Sequence, residues 1–272
     1  MLAQFIIAFV FLGLLAGLAV GLAGVGSTLL ILPTLVLLLA HYMPADLSVK
    51  IAIAIATTLA CTSVSVIYAA VIHIRKGNLD ISLCLRMASI YIVTAAAGAY
   101  IVYFLPARII EIILGIVLIF VATKTVLITK AQDNTDKKMN PGVFAIVTIF
   151  AGLSNSICGV GTGNIAIPYL SQYFPAKTAM GTSVVSTVVA CVLGTLAYIY
   201  YGWDAATLPT YSFGYVYMPI FIAISVGIFI AIPIGYKLSE RLHPKWIKRL
   251  LALLVSVADV FALIKGIFLT GL

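Results

Sequence analysis

Two short stretches carry residue types that can hold an anion. Residues 24–28 read Gly-Val-Gly-Ser-Thr, and residues 159–164 read Gly-Val-Gly-Thr-Gly-Asn. Each breaks an otherwise apolar run and is followed by a proline, Pro33 or Pro168. Glycine at Gly24, Gly26, Gly159, Gly161 and Gly163 permits positive φ and lets the backbone approach a ligand closely. Ser27 and Thr162 stand in N-cap position for the helices that follow, with Thr28 and Asn164 just beyond. A helix N-terminus presents free N–H groups and partial positive charge, which suits an anion without a buried Lys or Arg. Two such termini meeting would form a roughly symmetric anion site. Thr57 and Thr58, and Thr182 and Ser183, open the next helices and can add hydroxyl donors. Asn155 flanks the second turn and can donate as well. The same residues also admit a packing reading, with glycines for close helix contact and hydroxyls bonding their own backbone.

One further group stands out for chemistry. Asp259 lies well inside an apolar run, Leu254 to Phe261, and an intramembrane carboxylate is a functional candidate by default. It is the candidate for carrying a coupling proton. Lys50 and Lys177 begin corresponding helices and fit interfacial snorkelling. Enzyme chemistry finds little support. There is no GxxxxGK[ST] or HExxH pattern, and His41, His73 and His243 all fall at the ends of apolar runs. Cys61, Cys84, Cys158 and Cys191 lie in apolar segments without CxxC spacing, so neither zinc nor disulfide is expected. No metal and no cofactor are expected.

The elements that hold these residues must be membrane helices. The chain is 63% hydrophobic and 9% charged, where soluble domains average about 25% charged. No charge precedes Asp46, and none falls between Lys138 and Lys177 or between Asp204 and Lys237. The net charge of +8 resides in short loops, so it reads as orientation in a bilayer and not as a nucleic-acid surface. The N-terminus lacks the basic region of a cleaved signal peptide. The partners expected are the lipid bilayer and a small anionic substrate.

The chain also repeats itself. Ala16-Gly17-Leu18 pairs with Ala151-Gly152-Leu153, Gly24-Val25-Gly26 with Gly159-Val160-Gly161, and Pro33 with Pro168, all at one offset. Ala56-Thr57-Thr58 parallels Gly181-Thr182-Ser183, Gly77 parallels Gly202, and Gly98 parallels Gly235. The first repeat covers 1–129, with a broken hairpin over 5–40 and spans at 50–73, 82–104 and 107–128. A hydrophilic linker covers 130–140. The second repeat covers 141–272, with a hairpin over 143–173 and spans at 178–201, 213–237 and 245–269. A continuous 35-residue helix would measure ~52 Å, too long for a ~30 Å core, so each broken region is expected to enter and return. The expected fold is an all-α polytopic membrane protein with eight to ten membrane helices. Loop charges set the orientation: the linker, 73–86 and 237–249 are basic and expected inside. Loop 200–212 has no base and is expected outside, with both termini outside. The repeats are then inverted, a recurrent plan of secondary transporters.

At these residues the chain resembles the TauE/SafE family of membrane transporters. The resemblance rests on the repeated Gly-x-Gly-[Ser/Thr] turn with Pro33 and Pro168 downstream, and on the Ala56-Thr57-Thr58 and Gly181-Thr182-Ser183 segments ahead of Gly77 and Gly202. The family's first turn often has consecutive glycines, where this chain has Val25 and Ser27. The resemblance implies a permease of the bacterial inner membrane. Its implied cargo is sulfite, an organosulfonate or a related sulfur-containing anion, coupled to a proton or sodium gradient. The residues themselves reach only "small anion". They leave open an anion channel of the same architecture, or a carrier of another small solute.

Overall fold

The computed structural model describes residues 2–23, 27–42, 46–106, 108–110, 112–113, 115–117, 139–205 and 208–241. Gly24, Gly26, most of the linker, the expected span 245–269 and Asp259 lie outside the described residues. Helices α1 (Leu2–Ala23) and α2 (Ser27–Tyr42) occupy the first expected hairpin. Helices α3 (Leu47–Arg75) and α4 (Ile81–Phe104) follow. In the second half come α5 (Pro141–Cys158), α6 (Gly163–Leu170), α7 (Ala176–Tyr201) and α8 (Met218–Arg241). Among the described residues five helices are apolar and long enough to cross a bilayer. The protein is an all-α, multi-pass membrane protein.

Helix ends follow local chemistry. Asn140 caps α5 by accepting from the Gly142 and Val143 amides at 2.9 and 3.4 Å, with Pro141 in the first turn, where its missing N–H costs nothing. Asp80 caps α4 by accepting from the Leu83 amide at 2.9 Å. Helix α3 runs from Leu47, so Thr57 and Thr58 lie in its third turn; Thr182 and Ser183 lie in the second turn of α7. Neither pair opens its helix, contrary to the sequence expectation. Helix α8 starts later than residue 213 because Ser212–Phe213 (β1) and Val216–Tyr217 (β2) pair first as a short antiparallel ribbon. The eight residues of α6 span about 12 Å, so the second hairpin has one long arm and one short arm.

Helix α3 is buried almost all round, with its own Ile53, Ile55 and Leu59 fully enclosed, as a helix apolar on every face requires. Exposed aliphatics such as Ile81, Leu85 and Val93 on α4 and Ile146 on α5 form the lipid-facing surface. Tyr100 and Tyr103 at the end of α4 pack on Tyr201 at the end of α7, Tyr103 and Tyr201 at 5.2 Å, and both also contact Phe104. That is an aromatic girdle of the membrane–water boundary. At the opposite end of the helices the Lys76 ammonium sits 4.4 Å over the Tyr236 ring.

The halves interlock. Helix α1 packs on α8 in the most extensive helix contact of the fold. Gly13, Gly17 and Gly21 of α1 meet Ile224, Ile228 with Ala231, and Ile232 with Gly235. A Cβ on Gly17 would lie 2.9 Å from that of Ala231, so only glycine lets these backbones touch. Helix α5 packs on α4 in the same way: Gly152 meets Thr94 and Tyr91, and Ser156 meets Gly98. At the crossing of α3 and α7, Leu59 lies against Gly194, while Val66 and Val184 share one cavity wall. Contact positions therefore advance together along α1 and α8, and along α4 and α5, but in opposite senses along α3 and α7.

Candidate functional site

The second turn is well defined. Helix α5 stops at Gly159, whose φ of 63° is left-handed and natural only for a residue without Cβ. The Gly159 and Val160 amides both return to the Ser154 carbonyl, a closing pattern of helix C-termini. The chain then passes Gly161, whose amide donates to Thr28 Oγ1 at 3.0 Å. This bond joins the two turns directly. Gly161 is needed for closeness: a Cβ there would sit 3.3 Å from the Thr28 hydroxyl.

A cavity of about 20 Å³ lies at this junction. Its polar wall is Ser27, Thr28, Thr62, Gly161, Asn164 and Thr187; Val20, Val66, Val184 and Gly163 complete it. Thr62 and Thr187 stand close to the midpoints of α3 and α7, which puts the cavity midway along both helices. Among the described residues no charged side chain lines it. The space suits about one water molecule, so an anion of several heavy atoms requires the turns to move apart.

Ser27 is the first described residue of α2. The Thr162 hydroxyl does not cap as expected. Thr162 precedes α6 with helical φ and ψ, and its side chain makes no capping bond. It pairs instead with the Thr187 hydroxyl, which donates on to the Ser183 carbonyl at 2.7 Å. The leading amides of α6 are partly used as well, Asn164 N–H on the Gly161 carbonyl and Ile165 N–H on Thr162.

Thr57 and Thr182 serve another purpose. Thr57 Oγ1 accepts from the Tyr217 amide at the head of α8, 3.1 Å away. Thr182 Oγ1 accepts from the Asp80 amide at the head of α4, 3.0 Å away. Each ties a crossing helix of one half to a span of the other. Their neighbours Thr58 and Ser183 are fully buried, and among the described residues their hydroxyls have no partner. Asn155 Nδ2 and the Tyr91 hydroxyl are likewise buried without a partner among the described residues. An unmet buried polar group costs about 1–3 kcal/mol, so each is informative.

The comparisons with known proteins bear on this site. The sequence profile of the sulfite exporter TauE/SafE family matches residues 9–261. The chain belongs to the TauE/SafE family. A probable membrane transporter protein of Haemophilus influenzae is 28% identical over 262 residues, covering 96% of this chain and 99% of that protein. One of Methanocaldococcus jannaschii is 24% identical over 260 residues, covering 94% of each. No solved structure matches. As a TauE/SafE member the protein is a membrane transporter and not an enzyme.

Of the residues expected at a TauE/SafE substrate site, Ser27, Thr28, Gly161, Gly163 and Asn164 line the cavity. Thr57, Thr58, Gly159, Thr162, Thr182 and Ser183 stand off its wall, and Gly24 and Gly26 lie outside the described residues. Two polar wall residues escaped sequence reasoning, Thr62 and Thr187. The signal was present: Thr62 stands to Thr187 at the offset relating Thr57 to Thr182 and Thr58 to Ser183.

Proposed function

We propose that this transporter is a secondary carrier of a small sulfur-containing oxyanion, sulfite or an organosulfonate. The anion is held midway across the membrane between the two glycine turns. One observation carries this reading: the Gly161–Thr28 bond closes the two turns over an uncharged cavity lined by hydroxyls and an amide. Such a wall suits an anion through hydrogen bonds alone, and the choice of sulfur rests on the family. The small cavity fits a closed state of a carrier better than an open channel.

The inverted-repeat plan, with repeats over 1–129 and 141–272, is part of the same proposal. Its support is the pairing of contacts. Gly17 meets Ala231 as Gly152 meets Thr94, and Gly21 meets Gly235 as Ser156 meets Gly98. Thr57 takes the Tyr217 amide as Thr182 takes that of Asp80. All three sets keep the offsets read from the sequence anchors, and the repeat partners α3 and α7 run in opposite senses. In this reading the end bearing Arg75, Lys76, Arg86 and Lys237 faces the cytoplasm of a bacterial inner membrane, with the linker inside and both termini outside. Asp259 is the coupling candidate, for a proton. Asp259→Asn should then abolish gradient-driven accumulation and spare substrate-for-substrate exchange; transport still following the proton gradient removes it from the mechanism.

The experiment for the main reading is a stability screen of the purified protein against sulfite, methanesulfonate, sulfate and chloride. A ligand at 100 times its Kd adds about 2.7 kcal/mol to the folded state. Sulfite or methanesulfonate should stabilise, and saturable counterflow in proteoliposomes should follow. Stabilisation by none of the four, with a cation or a neutral solute stabilising instead, refutes the proposal. Unitary currents would replace the carrier by a channel.

A further inference from the structure

Beside the cavity, behind the Thr162–Thr187 hydroxyl pair, lies a second polar cluster. The Tyr91 hydroxyl of α4 faces the Thr162 side chain, outside the geometry of an ordinary hydrogen bond, and lies near Cys191. The Cys191 thiol donates to Asn155 Oδ1 at 3.6 Å, which leaves the Asn155 amide nitrogen pointing elsewhere. Tyr91 and Asn155 are both completely buried, and among the described residues neither the phenol oxygen nor Nδ2 has a partner. Both groups can donate a hydrogen bond, and both are on the far side of one hydroxyl pair from the cavity.

The fold does not need polar groups here. By the repeat offsets, Asn155 corresponds to Val20, Cys191 to Val66 and Tyr91 to Ile228. The correspondence holds in space, because Gly152 meets Tyr91 where Gly17 meets Ile228. All three counterparts are buried aliphatics. Of two corresponding corners, each built from both halves, one is thus packed with hydrocarbon and the other holds unmet donors. Buried donors without partners are rare and call for a reason.

We propose that Tyr91 and Asn155 form an oxyanion subsite that takes a second oxygen of the transported anion once the Thr162–Thr187 pair parts. The inference rests on the carrier reading above and deepens it. The transported class is then an anion with several oxygens on one centre, and a monatomic halide lacks the reach to use both sets of donors. The subsite also breaks the symmetry between the halves, so the anion binds in one orientation.

The test uses the full chain, purified, with sulfite as probe and chloride as competitor. Tyr91→Phe removes one donor with little change of shape, and Asn155→Leu removes the Nδ2 donor together with the Oδ1 that accepts from the Cys191 thiol. Because the Tyr91 hydroxyl is unmet in the empty protein, Tyr91→Phe should unfold at the same temperature as the parent or higher, while Asn155→Leu loses only the weak thiol bond. Sulfite affinity should fall about 10- to 150-fold, the range for a hydrogen bond to a charged group, and discrimination against chloride should narrow. Lower stability with unchanged sulfite affinity in both variants overturns the subsite. Thr28→Val on the cavity wall separates the two levels. If it weakens sulfite while Tyr91→Phe and Asn155→Leu do not, only the subsite is wrong. If the parent protein binds no sulfite, both the subsite and the carrier reading fall.

Discussion

Replacing Thr182 or Thr57 by valine probes the ties between the halves. Valine keeps the shape of threonine and removes only the acceptor. In Thr182→Val the Asp80 amide, 3.0 Å from the lost oxygen, is left facing a methyl group in a part-buried site. In Thr57→Val the Tyr217 amide, at 3.1 Å, suffers the same loss. Stranding a buried donor costs about 1–3 kcal/mol, a factor of roughly 5 to 150 in the unfolding equilibrium. Similar geometry predicts similar losses, and the double variant should show their sum within about 0.5 kcal/mol, as for separated sites. Serine at either position restores the acceptor and should recover most of the stability. Since neither oxygen is on the cavity wall, anion affinity of the folded protein should stay within about twofold of the parent. The assay is reversible unfolding in detergent beside an anion titration on the same samples. A neutral Thr57→Val beside a costly Thr182→Val would refute the equivalence of the two ties. Lost affinity at full stability in either variant would return that threonine to the substrate site.

Three further outcomes are expected. Ser27→Ala should weaken sulfite binding about 10- to 150-fold, whereas Thr162→Ala, which breaks the pair with Thr187, should lower stability by about 1–3 kcal/mol; equal loss of affinity in both would contradict the geometry. Gly17→Leu should force α1 off α8 and cost more than about 3 kcal/mol by overpacking, seen as loss of the folded fraction in detergent, while leucine at the exposed Gly142 should be tolerated. In a background without the four native, buried cysteines, a label at Arg86→Cys should react only from the cytoplasm and one at Trp203→Cys only from outside, and labelling from one side would remove the inverted plan.

Much of the hairpin-and-span order could be read from apolar runs and glycine breaks, because bilayer thickness leaves few ways to place them. The anchors Gly17, Gly98, Gly152 and Gly235 turned out to be contact points, since repeat counterparts keep small residues where backbones touch. Thr62 and Thr187 stayed hidden because a threonine inside an apolar helix ordinarily bonds the carbonyl four residues back, and both do so. Tyr91 was invisible for a similar reason: a lone tyrosine within a span reads as core or girdle. Capping was misassigned because sequence places a hydroxyl beside a helix start without giving its φ and ψ, and Thr162 is already helical there. Of Gly159, Gly161 and Gly163 only Gly159 uses a positive φ; Gly161 is favoured by the close approach of Thr28.

The glycine seam between α1 and α8 has a consequence for how the chain is made. Helix α1 leaves the ribosome before the other described helices, and its seat is among the last of them to be synthesised. At about 5–20 residues per second the wait is on the order of tens of seconds. Throughout it the groove of Gly13, Gly17 and Gly21 faces lipid tails or a temporary companion. The second half meets no such delay, because α4 is already inserted when α5 arrives to pack on it. A nascent chain stalled before α8 should therefore hold α5 in its native seat and leave α1 unseated, open to capture by any helix with a matching small-residue face.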